Sequence, residues 1–179
     1  MRARTLTVLQ QEVLRHLFLH AGQAFNARGL ALAVGVSHPG IAKALPALER
    51  RGLVRVAKDK ASKRLSIELN RENPLVIGLK RADNVRLLYE SGLAAHLVEQ
   101  FPGCAVIVFG SFAKGEDTLT SDVDVAVVGH RGKALDLRRF EKVLMKEIRV
   151  NAYPSFRGME RELLGNILGG ILLSGWIEL

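Results

Sequence analysis

The chain has 179 residues, 48% of them hydrophobic, and a formal net charge of +8. That length excludes several large domains but allows one core or two compact units of about 70 to 100 residues. No apolar run approaches the roughly 20 residues of a membrane span, and polar residues interrupt the N-terminal stretch where a signal peptide would be apolar. The expected location is therefore the cytoplasm, with no membrane role. The single cysteine, Cys104, cannot make an internal disulfide or a zinc cluster and is expected in the core. The charge is uneven: residues 1–73 hold 13 Lys/Arg against 5 Asp/Glu, and residues 74–179 hold 13 against 13. A basic module joined to a neutral one points to a polyanion that meets only the first. The plainer alternative is a solvated basic face.

In chain order, Leu9, Val13, Leu14, Leu17 and Leu19 recur near a 3.6 period and predict a helix over 6–20, with Gly22 ending it. Asn26 can cap a short helix to about Ala33. Gly35 makes a turn, and Ser37 can cap a third helix with Pro39 in its first turn. Ile41, Leu45 and Leu48 fall on one face of that helix, and Gly52 closes it. Two alternating segments, "LVRVAK" and "RLSIEL", follow as strands around "DKASK".

The stretch "LALAVGVSHPGIAKALPALERRGLVRV" resembles the winged helix-turn-helix of prokaryotic transcription regulators, at Leu30, Ala31, Gly35, Val36, Ser37, Ile41, Leu45, Leu48, Gly52, Leu53 and Val54. The resemblance implies that the helix after Ser37 enters the DNA major groove while the hairpin tip reaches the backbone or minor groove. The implied DNA contacts are Ser37, His38, Lys43 and Arg50 on the helix and Lys58, Lys60, Lys63 and Arg64 on the wing. These basic groups suit phosphate neutralisation. Pro46 departs from the pattern, because it removes the bond to Ala42 and is expected to kink or shorten the recognition helix. Such modules also serve as protein interaction or dimerisation units, and that use stays open. His16 and His20 are expected on a helix surface without ligand duty.

"NRENPLVIGLKRADNVRLLYESGLAAHLVEQFPG" predicts two helices, one starting near Pro74 and the break at Gly92. Leu79, Val85, Leu88 and Tyr89 are expected to bury one side. With no Gly/Ser linker, the modules are expected to be rigidly joined. The same amphipathic faces could form a homodimer contact, although packing within the chain is the duller use.

Past Pro102 and Gly103, "CAVIVFG" is a continuous apolar run and predicts a strand covered on both faces. A turn and short helix follow at 111–115, then the strand "DVDVAVVG", a helix over about 134–145 and the strand "EIRVNAY". The final apolar segment is expected to be helical at first, with Gly169 and Gly170 weakening its middle. Strand alternation places Asp122 and Asp124 on one face, with Val123 and Val125 facing the core. Two adjacent carboxylates need a compensating cation or donors. Magnesium, a hard cation that shares carboxylates with phosphate oxygens, fits that need. Gly110 would let a phosphate approach the backbone, and Ser111 could donate to it.

Gly110-Ser111, Lys114-Gly115-Glu116 and Ser121-Asp122-Val123-Asp124 together resemble the nucleotidyltransferase superfamily related to DNA polymerase beta, especially its minimal members. The resemblance implies an α+β chain: a winged helix over 1–73, connecting helices over 74–103, and a small mixed α/β nucleotidyltransferase-like sheet domain over 104–179. It also implies nucleotidyl transfer. Mg²⁺ would be held by Asp122 and Asp124, and the phosphates of an NTP, ATP in the first instance, by Gly110, Ser111 and Lys114. The acceptor would be a hydroxyl on a protein or small molecule.

Family members carry a third carboxylate on a later strand, and the aligned residue here is Arg149, which can neither bind Mg²⁺ nor act as a base. Glu147 shares its face and could replace the missing carboxylate after a two-residue shift, or could be a solvated strand-entry residue. Arg149 could instead hold a phosphate, leaving a DNA-binding regulator that senses nucleotide without turnover. Some minimal members modify a HEPN-type toxin, so a protein partner is a further expectation.

Overall fold

The computed structural model describes residues 5–58 and 65–179. It divides into two compact units, Met1–Lys80 and Arg81–Leu179.

In the first unit, Thr7 opens helix α1 (Val8–Leu19) with a reciprocal cap: its hydroxyl accepts from the Gln10 amide, and the Gln10 side chain accepts from the Thr7 amide. A two-residue strand β1 (Ala24–Phe25) follows, which the alternation does not foreshadow. Asn26 and Ser37 cap α2 (Ala27–Val34) and α3 (His38–Arg50), accepting from the amides of Gly29 and Gly40. The hairpin of β2 (Val54–Lys58) and β3 (Leu65–Leu69) pairs antiparallel, Val56 opposite Ile67, and β1 adds to the other edge of β3. Three helices and this hairpin make a winged helix, and Val13, Leu17, Leu30, Ile41, Leu48, Leu53 and Ile67 form its core. The carbonyl of Gly52, between α3 and the hairpin, accepts from the side-chain amides of Asn70 and Asn73 at 2.8 and 2.9 Å, which ties down the base of the wing.

Pro46 does not shorten α3, which runs all thirteen residues from His38 to Arg50. The missing hydrogen bond falls on an exposed face, while Ile41, Ala44, Leu45 and Leu48 anchor the opposite one.

The chain passes into the second unit within α4 (Pro74–Glu90), and α5 (Leu93–Gln100) follows after Gly92. Of the residues expected to bury one side of these helices, Leu88 is buried, Leu79 and Val85 are partly so, and Tyr89 is exposed. The second unit is built on a four-stranded mixed sheet. Strand β4 (Ala105–Phe109) is buried at every position. It leads through α6 (Gly110–Lys114) to β5 (Val123–Val128), and α7 (Arg138–Leu144) to β6 (Ile148–Tyr153). Helix α7 begins at Arg138 rather than near Ala134. The stretch "GKAL" before it includes Gly132 in a left-handed conformation and holds no regular hydrogen bonds.

The final segment is also more divided than a single helix. Helix α8 (Arg161–Leu168) stops at Gly169, and Ile171–Ser174 forms strand β7 on the free edge of β4. The sheet order is β6-β5-β4-β7, with β5 and β6 parallel and the other pairs antiparallel. One face of the sheet packs on Leu93, Leu97, Phe112, Phe140 and Leu144, the other on Phe156 and Ile167.

Gly170 makes the change from helix to strand possible, because a methyl group there would lie inside contact distance of the Val108 carbonyl and 2.9 Å from that of Ile167. Gly170→Ala is expected to cost about 1–3 kcal/mol, the usual penalty of overpacking. Gly169→Ala, whose methyl would meet carbonyl oxygens only at 3.4 Å and beyond, is expected to change stability by less than about 0.5 kcal/mol. Urea unfolding of the two variants checks the contrast, and equal losses would refute it.

Candidate functional site

Asp124 sits in the middle of a three-strand row, opposite Phe109 on β4 and Arg149 on β6. Val123 and Val125, one residue to either side, are fully buried in the core, so alternation turns the Asp124 side chain to the other face together with that of Asp122. Phe109 leads directly into Gly110, which is why the Gly-Ser turn meets the carboxylates. A Cβ on Gly110 would stand 2.8 Å from Asp124 Oδ2, and the φ of Gly110 is +75°. Only glycine fills that corner without displacing the carboxylate. Ser111 is the next residue, half-buried at the start of α6.

Arg149 occupies the place where a third carboxylate was expected, and it points into the pair. Its Nη1 lies 2.8 Å from Asp122 Oδ2, and its Nε donates to Glu147 Oε1 at 3.2 Å. Glu147 is therefore joined to Asp122 through a guanidinium, and its own side chain is exposed. Burial pushes the Asp124 carboxyl above its ordinary range and the charge of Asp122 pushes the same way, while Arg149 offsets part of the rise. The hydrogen bond to Glu147, and then the charge of Asp122, hold Arg149 above its ordinary value. Two carboxylates, one of them destabilised as an anion, are a hard-oxygen donor set suited to Mg²⁺. Asp122 and Asp124 are two such donors, and among the described residues no group of three His, Cys, Asp or Glu side chains could hold a metal.

Lys114 lies at the far end of α6, where its ammonium donates to Asn166 Oδ1 at 3.0 Å. It shares α6 with Gly110 and Ser111, but in this arrangement it is engaged with α8.

A second charge pair shapes the loop that delivers Asp122. Lys146 and Asp117 have side chains only 2% and 0% exposed and lie 3.1 Å apart. Lys146 also donates to the carbonyl of Thr118 and approaches that of Ser121. Asn84 of α4 donates to Asp117 Oδ1 at 2.7 Å and to the Phe112 carbonyl at 2.8 Å. Thr118 and Ser121 close the loop on themselves, the Thr118 amide donating to Ser121 Oγ at 3.0 Å. Breaking one partner of a buried pair of this kind costs about 3–5 kcal/mol. Sequence reading missed these residues, because a buried lysine just before a strand and an aspartate just after "KGE" look like surface charges. The available signal was a polar Asn84 in an amphipathic helix.

In the first unit, Lys43 and Arg50 lie seven residues apart on α3, on the face opposite Ile41, Leu45 and Leu48, and both are exposed. His38 is exposed at the start of the helix and Lys58 at the end of β2. Ser37 caps α3, its hydroxyl 3.2 Å from the Gly40 amide. Lys60, Lys63 and Arg64 lie outside the described residues. His16 and His20 are half-buried rather than on the surface. They stack at 4.2 Å with Phe25 edge-on to both, and burial holds His16 below its ordinary pKa.

Residues 91–160, which contain the Gly-Ser turn, both aspartates, Glu147 and Arg149, match the model of the nucleotidyltransferase domain family. Among solved structures the chain is similar to MepR of S. aureus in its complex with DNA, at 20% identity and a TM-score of 0.39 over 53% of this chain and 77% of that one. No curated protein matches the chain. Among the described residues no helix is long and apolar enough to cross a membrane.

The raised pKa of Asp124 has a sign that can be measured. Between the ordinary carboxylate value and the raised one, the folded state binds more protons than the unfolded state, so stability falls as pH rises through that window. In EDTA, Asp124→Asn is expected to raise the melting temperature at pH 7, and the gain should vanish below the ordinary carboxylate pKa. A variant less stable than wild type at pH 7 would contradict this electrostatic account.

Proposed function

We propose that the second unit binds the polyphosphate of a nucleoside triphosphate, with ATP the first candidate, and transfers its nucleoside monophosphate to a hydroxyl on a protein or small molecule. The observation that carries this is the meeting of Asp122, Asp124 and the Gly110-Ser111 turn in one corner, inside the stretch that matches the nucleotidyltransferase domain. Gly110 leaves the backbone open to phosphate oxygens, and the Ser111 hydroxyl donates to the β or γ end. Mg²⁺ held by Asp122 and Asp124 would neutralise charge on the triphosphate and orient it. The acceptor oxygen attacks the α-phosphorus, the bond to the β-phosphate breaks, and pyrophosphate leaves. Glu147 would be the carboxylate that takes the hydroxyl proton, and doing so requires it to part from Arg149.

The first unit supports a DNA-binding role in the same proposal. Lys43 and Arg50 share one exposed face of the second helix of a helix-turn-helix, in the half of the chain that holds all the excess positive charge. A second reading rests on the Arg149–Asp122 contact: a DNA-binding regulator whose second unit holds nucleotide without transferring it.

Labelled ATP with Mg²⁺ and candidate acceptors separates the two readings. The transferase reading expects label transfer or pyrophosphate release by wild type and none by Asp122→Ala with Asp124→Ala. Binding of nucleotide with no release by wild type would leave the regulator. For DNA, affinity is expected to fall as salt rises. Replacing Lys43 and Arg50 by Gln should lower the slope of log affinity on log salt by about 2, roughly 0.9 per lost phosphate contact. An unchanged slope would remove these residues from the interface.

A further inference from the structure

We infer that Arg149 is a latch on the metal site: it occupies Asp122 until a polyphosphate draws it away, so that divalent metal and nucleotide each bind more tightly in the presence of the other. This rests on the nucleotide reading above and adds to it the way the site is controlled.

The latch follows from which of the two charged partners is fixed and which is free to move. Asp124 is confined against Gly110, and Asp122, 26% exposed, is held at the end of a loop pinned by the buried Asp117–Lys146 pair. Arg149 stands on β6, an edge strand of the sheet, and its side chain is 53% exposed. The cation can swing on its long stem, while the carboxylates cannot follow it. Three carboxylates, Asp122, Asp124 and Glu147, surround the one guanidinium, and it touches two of them.

Asp122 Oδ2 serves both partners only at an electrostatic cost. A magnesium ligand oxygen lies about 2.1 Å from the ion, and a guanidinium nitrogen 2.8 Å from that same oxygen would hold a second positive charge within about 5 Å of the metal. The two cations therefore compete for one carboxylate, and the covalently attached one needs no concentration in solution. Phosphate oxygens are matched to the arginine fork and accept two parallel bonds from it. A triphosphate arriving at the Gly-Ser turn offers Arg149 a better partner than Asp122 and so frees the carboxylate for the metal. Coupling of this kind is reciprocal: nucleotide tightens metal, and metal tightens nucleotide by the same factor.

The test uses the full chain and Mn²⁺ alone as the probe, with unbound ion followed by electron paramagnetic resonance in the absence of nucleotide. Arg149→Gln removes the competing charge and is expected to bind Mn²⁺ more tightly than wild type by up to about fivefold, the scale of a partly exposed ion pair. Adding Asp122→Asn to that variant should abolish the gain. Equal Mn²⁺ affinities of wild type and Arg149→Gln, including equal failure to bind, would overturn the latch. In parallel, calorimetry with α,β-methylene-ATP in EDTA is expected to show wild-type binding that weakens in Arg149→Gln, because the arginine has moved to the phosphates. Absence of nucleotide binding by wild type, with or without metal, would overturn the nucleotide reading instead, and the Mn²⁺ comparison would still decide whether Arg149 and metal compete.

Discussion

The register that sets Asp124 between Phe109 and Arg149 is the constraint on which the chemistry of the second unit depends. A slip of one residue along β5 would turn Val123 and Val125 to the carboxylate face and drive both aspartates into the apolar core, so the hydrophobic pattern locks the register firmly. With the register fixed, three consequences come together. Phe109 ends β4 where Gly110 must turn, Gly110 must be glycine because the Asp124 carboxylate fills the space of a side chain, and Arg149 is carried to within reach of Asp122.

Two ion pairs lie close together in the chain and behave oppositely. Asp117 and Lys146 are sealed from water, share further polar partners in Asn84 and the Thr118 carbonyl, and hold the loop in one place. Asp122 and Arg149, a few residues further along each segment, face solvent on the arginine side. Burial makes the first pair costly to break and therefore structural, while exposure makes the second cheap to exchange for another partner. A site that must both hold its shape and change its ligands needs one of each.

Much of this was legible in the chain. Caps at Asn26 and Ser37, the apolar faces of α1 and α3, and the alternation of the hairpin gave the winged helix, because each is a local rule that tertiary packing did not override. The carboxylate pair was legible for the same reason: a period of two on an otherwise apolar strand leaves one face for Asp122 and Asp124. Less legible was anything set by distant partners. Arg149 could be placed on its strand but not aimed, since its direction depends on Asp122 across the sheet. The buried charges of Asp117 and Lys146 carry no periodic signal. Strand β7 was hidden because Gly169 and Gly170 within an apolar run read as a weakened helix, whereas they separate a helix from a strand.

Strand β7 has a further consequence for how the domain comes together. Strand β4 pairs on one side with β5, which follows it closely in the chain, and on the other with β7, where Val108 meets Ile171. The first contact closes a short loop and the second a long one, with a larger entropic cost. Contacts between distant parts of a chain slow folding. The row that carries Phe109, Asp124 and Arg149 needs only β4, β5 and β6, so the pairing of β7 seals the opposite edge of β4 without having to build that row.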